Sequence, residues 1–304
     1  VKKILLTGAS GFVGRALSHA LSGEYAVSGV VRCLARAPES VIALQVSDIG
    51  PKVDWSASLA GQDVVIHVAA LAHGKARGYE AMRAVNTEGT LNLARQAAAS
   101  GVNRFIFISS IGVHGNRNEV PFRADDIPAP VEPYACSKWE AEQGLVRIAE
   151  QSGMEVVIIR PPLVYGPDAP GNFARLVRLV ESGLPLPLGA VHNRRTLVGL
   201  DNLVDLVRVC IEHPGAANRV LLAGDNEDVS TSDILRHIAL AMGKKPKLLP
   251  VPESWLWAGA RVIGQADMAE KLLGSLQVDI SETRALLGWT PPCSFAVGMK
   301  KCFG

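Results

Sequence analysis

Apolar positions in this chain fall in short unbroken runs separated by amphipathic stretches, the pattern of buried strands alternating with surface helices. Residues 2–7, Lys-Lys-Ile-Leu-Leu-Thr, form one such run, too short for a helix and suited to a strand covered on both faces. Residues 25–31, 41–46, 63–70 and 104–108 repeat the pattern. Between the runs, Val13, Leu17 and Leu21 share one helical face, and residues 79–100 are helical in pattern. Strands and helices alternating at this rhythm predict right-handed crossovers and an α/β fold with a doubly wound parallel sheet.

After Pro167 the rhythm breaks. Residues 168–173 are loop-like, a helix runs to about Ser182, and Leu-Pro-Leu-Pro-Leu-Gly occupies 184–189. A strand and helix over 198–210 are expected to return to the main sheet, with a further strand at 219–224. The hydroxyls and acids of 228–233 read as a helix cap. The pattern thus predicts a first lobe over 1–167, to which 194–225 partly returns, and a smaller, mixed, discontinuous C-terminal lobe over 168–304.

Composition narrows the picture. The 304 residues are 48% hydrophobic and 20% charged, ordinary for a soluble globular protein. The formal net charge is +2, with cations scattered, which argues against a nucleic-acid partner. Five well-separated cysteines without a C-x-x-C motif point to free thiols and no metal site. The longest apolar stretch, 255–264, is short and interrupted by Arg261, so no membrane association is expected. The chain starts on a strand pattern without a signal peptide, which points to the cytoplasm, and without Met, which points to residues upstream.

Chemistry enters at Gly8-Ala-Ser-Gly11-Phe-Val-Gly14, lodged between a strand and a helix. That context makes it a dinucleotide cradle: early glycines let the backbone of Ser10, Phe12 and Val13 approach a pyrophosphate, and Gly14 seats the helix on the strand. The strand at 25–31 should end in an acid if the cofactor were NAD(H). Arg32 stands there instead, and the first acid is Glu39. Arg32 suits a ribose 2′-phosphate, so NADP(H) is favoured and NAD(H) is the alternative. Asp48 and Ile49 come after the third strand, where an acid can accept from adenine. Ala69 and Ala70 offer smooth backbone at the end of the fourth, whose His67 reads as a core residue.

The fifth strand delivers Ser109 and Ser110 to the same carboxyl edge. Tyr134 and Lys138, four apart at the start of a helical pattern, share one face. A phenol is a poor acid or base at neutral pH, but a neighbouring ammonium favours the phenolate. Ser110, Tyr134 and Lys138 together form a proton relay for hydride chemistry at a carbinol or carbonyl.

In order, Gly8-x-x-Gly11-x-x-Gly14, Asp48-Ile49, His67-x-Ala69-Ala70, Asn86, Ser109-Ser110-x-x-Val113-His114-Gly115, Tyr134-x-x-x-Lys138 and Arg160-Pro-Pro-Leu-Val-Tyr-Gly-Pro167 resemble the extended short-chain dehydrogenase/reductase family, in its nucleotide-sugar branch. The resemblance implies a Rossmann first lobe and a substrate-binding second lobe. It implies that Tyr134 is the acid/base, that Lys138 holds the nicotinamide ribose and lowers the tyrosine's pKa, and that Ser110 hydrogen-bonds the reacting oxygen. Pro161 and its neighbours flank the nicotinamide, and Asn86 is structural. Asn172 and Arg195 correspond to positions that grip the substrate diphosphate. A homodimer through residues 79–100 and 134–150 is implied as well.

Two departures stand out. His114 replaces the family's usual tyrosine, which makes it either a substrate contact or a packing residue. Ile111-Gly112 occupy the place of the acidic pair of the sugar dehydratases, so water elimination lacks its acid and base. The expected activity is therefore reduction of a nucleotide-linked (UDP-type) 4-keto-6-deoxy (amino)sugar, with 4-epimerisation on tightly bound NAD as the alternative. A non-catalytic dinucleotide-binding protein is the remote third.

Overall fold

The computed structural model of the chain describes residues 1–72, 78–262 and 264–304. Its architecture is α/β, and the apolar runs become the strands. β1 (Lys3–Thr7) carries Ile4, Leu5 and Leu6 with no exposed surface. Next along the chain are α1 (Phe12–Leu21), β2 (Ala26–Val31), β3 (Ile42–Gln45), α2 (Ser56–Leu59) and β4 (Val64–His67). α3 (Tyr79–Arg83) passes through a π-helical segment, Ala84–Gly89, into α4 (Thr90–Ala99). Then come β5 (Arg104–Ile108), α5 (Pro133–Ser152) and β6 (Glu155–Arg160). All six strands pair in parallel, in the order β3-β2-β1-β4-β5-β6.

Side chains of successive strand residues point to opposite faces. Ile4, Leu6, Ile66, Ile106 and Ile108 join one core layer, while Leu5, Val65, Phe105 and Phe107 join the other. α1 belongs to the first layer, and α4 and α5 contribute Leu93, Ala94, Ala141 and Leu145 to the second. Burying both faces is what makes continuous apolar runs necessary.

The remaining elements are β7 (Leu163–Tyr165), α6 (Asn172–Glu181), β8 (Arg195–Gly199), α7 (Leu200–Glu212), β9 (Arg219–Leu222) and β10 (Asp228–Val229). The chain then forms α8 (Thr231–Ala241), α9 (Glu253–Val262), α10 (Ala266–Leu273), α11 (Ser281–Leu287) and α12 (Phe295–Lys301). β9 pairs in parallel with β6 as the seventh strand of the main sheet. The expected return of the 198–210 strand is corrected here. β8 pairs with β7 in parallel and β10 antiparallel, forming a separate three-stranded sheet. α7 packs on the main sheet through Leu203, Leu206, Val207 and Cys210, and β8 adds Val198 to the same core layer.

Tyr165 fastens the small sheet. Its hydroxyl donates to Asp225 Oδ2 at 2.7 Å, while Asp225 Oδ1 accepts from the Gly199 amide at 2.8 Å and Asn202 at 2.6 Å. α8 is capped reciprocally by Ser230 and Asp233, as the hydroxyl-and-acid cluster predicted. All five cysteines are free thiols. Among the described residues no helix is long and apolar enough to cross a membrane, and no cluster of His, Cys, Asp or Glu could hold a metal ion.

Candidate active site

Every candidate group of the first lobe lies at the carboxyl edge of the main sheet or on an element leaving it, the usual binding edge of such sheets. The glycine turn comes first. Gly8 has φ +74°, and a Cβ there would lie 2.9 Å from the Ala69 amide nitrogen. The Gly11 amide closes the turn onto the Gly8 carbonyl at 2.9 Å. A Cβ on Gly14 would sit 2.0 Å from that same carbonyl oxygen. α1 begins after Gly11 with no side-chain cap and no acid in its first turn. Its N-terminal amides and positive dipole end are therefore open to an anion, and a dinucleotide pyrophosphate fits this turn chemically.

At the far end of the cradle, Arg32 directly succeeds β2 and is exposed, as are all residues through Arg36. Asp48 is exposed, and its carboxylate accepts from the Ile49 amide at 2.7 Å. Gly89, in the π-helical segment, lets α4 approach this loop, because a Cβ there would lie 2.6 Å from the Ile49 carbonyl. Ala69 and Ala70 are half-buried beside the turn.

The chemical trio converges on one place. Ser110 caps a short 3-10 turn, Ile111–Val113, accepting from the Gly112 amide at 3.1 Å. Gly112 brings the turn onto α5: a Cβ there would be 3.3 Å from both Ala135 Cβ and Ser110 Oγ. Pro133 starts α5 at a position where its missing amide costs nothing. Tyr134 and Lys138 then lie on the face turned toward β5. Lys138 is 1% exposed, donates to the Ile108 carbonyl at 2.7 Å and sits 4.3 Å above the Phe107 ring.

Electrostatics differ from the simple expectation. Burial pushes the Tyr134 phenol up to about 12 and the Lys138 ammonium down to about 7, Glu142 opposing the latter shift. The ammonium is 5.8 Å from the Tyr134 ring centroid, so its directed bond goes to Ile108 and not to the phenol. Burial is the cause of the tyrosine's upward shift. At neutral pH the phenol is protonated, the form that donates.

Behind the trio is a buried charged cluster that sequence reasoning did not single out. Arg160, 2% exposed, donates to both carboxylate oxygens of Glu142, which is 1% exposed. The Ser109 hydroxyl also donates to Glu142. The signal was available: Glu142 lies four residues after Lys138 and eight after Tyr134, on the buried face of α5. His114 belongs to this cluster, 4% exposed, with Nε2 2.7 Å from Arg160 Nη1 and its ring stacked on Phe122. That is a packing position. Asn86 bridges Leu71 and Ser137, a structural role.

The diphosphate candidates lie in the second lobe. Asn172 opens α6 and is exposed at its first turn. Arg195 is half-buried, donating to the carbonyls of Lys271 at 3.1 Å and Gly274 at 2.9 Å. Pro161 is buried, and its carbonyl accepts from the Ile111 amide at 2.9 Å, tying β6 to the Ser110 turn.

The buried histidines make a prediction about stability. Burial, then the Lys138 charge, pushes His67 down to about 3; burial, then Arg160, pushes His114 to about 4, against Asp126. Unfolded histidine titrates near ~6.5, so the unfolded chain binds more protons below that pH. The stabilisation is complete above it and is lost as pH falls toward 4 and then 3. The urea midpoint is expected to fall steadily from pH 6.5 to 4. A His67→Gln variant should flatten that slope, and an unchanged midpoint in the native chain would contradict the assignment.

The sequence profile described as "NAD dependent epimerase/dehydratase family" matches residues 4–224, from β1 through the end of β9. The chain belongs to that family. Similar proteins include a "UDP-glucose 4-epimerase" of Vibrio cholerae, 46% identical over 99% of this chain and 94% of that one. A "Ceramide reductase" of Caulobacter vibrioides is 30% identical over 99% and 90%. The crystal structure of a UDP-glucuronic acid 4-epimerase from Bacillus cereus, in complex with NAD, superposes with a TM-score of 0.81 at 24% identity, covering 99% and 97%. That structural likeness establishes the fold. Family membership makes the chain an NAD-dependent type of enzyme, and it agrees with the cradle at Gly8–Gly14.

Proposed function

We propose that this chain transfers hydride at C4 of a nucleotide-linked hexose, with Tyr134 as acid/base, and that it works reductively on a 4-keto-6-deoxy (amino)sugar. The observation that carries the chemistry is the convergence of Ser110, Tyr134 and Lys138 at the carboxyl edge of β5. The first lobe over 1–167 is read as the dinucleotide-binding domain and 168–304 as the substrate lobe. Gly8, Ser10, Gly11, Phe12, Val13 and Gly14 would hold the pyrophosphate, Asp48 and Ile49 the adenine, and Ala69, Ala70 and Pro161 the nicotinamide side. Asn172 and Arg195 are the groups assigned to the substrate diphosphate, Arg195 after exchanging a carbonyl partner for a phosphate oxygen.

A bound reduced dinucleotide supplies the hydride. The Tyr134 hydroxyl gives its proton to the oxygen at C4 as charge develops there, and Ser110 donates a hydrogen bond to the same oxygen. Lys138 offsets the tyrosinate that remains, and solvent returns the proton. Ile111 and Gly112 provide no carboxylate, so the C5 proton stays in place and water is not eliminated.

The reductive direction rests on Arg32. A reductase must exchange its cofactor at each turnover, and an exposed cation with no acid before Glu39 suits an exchangeable NADPH. A 4-epimerase is the second reading, favoured by the 46% identity to the Vibrio cholerae UDP-glucose 4-epimerase. It would use the same trio twice, oxidising C4 and reducing it from the other face, with no net change in cofactor.

Mass spectrometry of acid-quenched, freshly purified protein separates the two. Little bound dinucleotide, with NADPH consumed one for one against a 4-keto-sugar, is the reductase result. About one NAD per chain, with interconversion of C4 epimers, overturns the reductive reading in favour of the epimerase. Arg32→Glu is expected to weaken NADPH binding at least about tenfold by losing a charge-assisted pair, with NADH binding unaffected or improved. Isothermal titration checks it, and an equal loss for both cofactors would remove Arg32 from the site.

A further inference from the structure

The carboxylate of Glu142 stands at the meeting point of three segments, each carrying a different part of the proposed chemistry. It lies on α5, one turn beyond Lys138 and two beyond Tyr134. It accepts from Ser109, the neighbour of Ser110 at the end of β5. Its other bonds come from Arg160, the neighbour of Pro161 at the end of β6, with Arg160 Nη2 at 2.5 Å and Nε at 3.1 Å. Each partner is at most 3% exposed. We infer that Glu142 is a positioning residue, whose single buried carboxylate locks α5, the Ser110 turn and the nicotinamide-flanking strand end in register and gives Lys138 its counter-charge.

A buried ion pair is poor evidence of stabilisation, because desolvation offsets much of the attraction. What such a pair supplies is geometry. Three ties converge on one planar group, and the Arg160 fork fixes its plane. A shift of α5 along its axis would break all three ties while moving Tyr134 and Lys138 away from Ser110. Lys138 also needs an anion nearby. The groups facing it are His67 on β4, neutral at physiological pH, the phenol of Tyr134, the Phe107 face and the Ile108 carbonyl. Among the described residues around it, Glu142 is the anion that supports the ammonium. Beyond Glu142 the next charge is the cation Arg160, and His114 behind it is neutral.

The inference rests on the proposed acid/base role of Tyr134 and Lys138, so one measurement is made without substrate. In protein carrying 13Cε-lysine, the Lys138 signal, assigned with Lys138→Arg, is titrated by NMR. Glu142→Gln should move the Lys138 midpoint at least about one pH unit below that of the native chain, since a lost anion and an unpaired Arg160 both disfavour the ammonium. In turnover, Glu142→Gln should lower kcat at least about tenfold through misplacement of the relay, with KM nearly unchanged. Glu142→Asp should recover part of the loss.

Should the single variant fail to fold, Glu142→Gln with Arg160→Gln removes the unpaired buried cation and should show the same kcat loss in a folded protein. An unmoved Lys138 titration together with native kcat, in either folded variant, overturns the inference. Were the substrate reading to fail, the Lys138 titration would still report on Glu142.

Discussion

Replacing Tyr134 with phenylalanine should reduce kcat by about two to four orders of magnitude, the range for losing a positioned general acid, while the dinucleotide still binds. The expectation comes from the hydroxyl's surroundings. Tyr134 is half-buried at the head of α5, and among the described residues its hydroxyl makes no hydrogen bond. Its removal leaves no broken partner in the fold. Burial holds the phenol near 12, so at pH 7 it carries the proton it is to give. Phenylalanine fills the same space and has no proton. The dinucleotide contacts proposed above lie mostly on the glycine turn and the ends of β2 to β4, so cofactor affinity should change little. Stopped-flow hydride transfer and titration of cofactor fluorescence check the two halves. Hydride transfer that survives Tyr134→Phe would remove the tyrosine from the chemistry.

Gly14→Ala should abolish cofactor binding and destabilise the chain by about 1–3 kcal/mol, as overpacking does. The added methyl would stand 2.0 Å from the Gly8 carbonyl oxygen and 2.7 Å from its carbon, both backbone atoms. Relief requires α1 to move off β1, or the Gly8 peptide to turn. Gly8 cannot turn freely, since it is held at φ +74° against the Ala69 backbone. The helix therefore moves, and its open amides leave the pyrophosphate position. Gly23→Ala is the matched control, because a Cβ there meets nothing within 4 Å. Thermal melts and cofactor titration should separate the two variants widely. A Gly14→Ala protein that binds the dinucleotide normally would contradict the placement of the turn.

The first lobe was legible because its strands are buried on both faces. Runs such as Ile4-Leu5-Leu6 and Phe105-Ile106-Phe107 permit few other readings, and the glycine spacing fixes the tight turn and helix after β1. The second lobe was less so. Leu163–Tyr165 and Asp228–Val229 are strands of three and two residues, too short for any periodicity to show. Nothing local tells β8 to pair with them instead of with the main sheet. The π-helical turn at Ala84–Gly89 was hidden for a related reason: one widened turn barely alters a helical pattern.

Of the site, the residues with a fixed spacing could be found, and those defined by distant partners could not. Arg195 shows this. Its correspondence to a diphosphate-gripping position was visible, but its carbonyl partners lie more than seventy residues away, at Lys271 and Gly274. Glu142 shows it from the other side. One glutamate among several on α5 looks like solvated decoration until β5 and β6 place Ser109 and Arg160 around it. His114 could be read two ways from its loop, and the Arg160 and Phe122 contacts place it in the packing.

The most direct test of the central claim is the fate of a labelled hydride. The protein is incubated with NADPH deuterated at the transferred position and a nucleotide-linked 4-keto-6-deoxysugar, and the product is read by NMR. One deuterium at C4 for each NADPH consumed, absent with Tyr134→Phe, is the predicted result. Product without deuterium at C4, or labelling that persists in the Tyr134→Phe protein, would contradict the account.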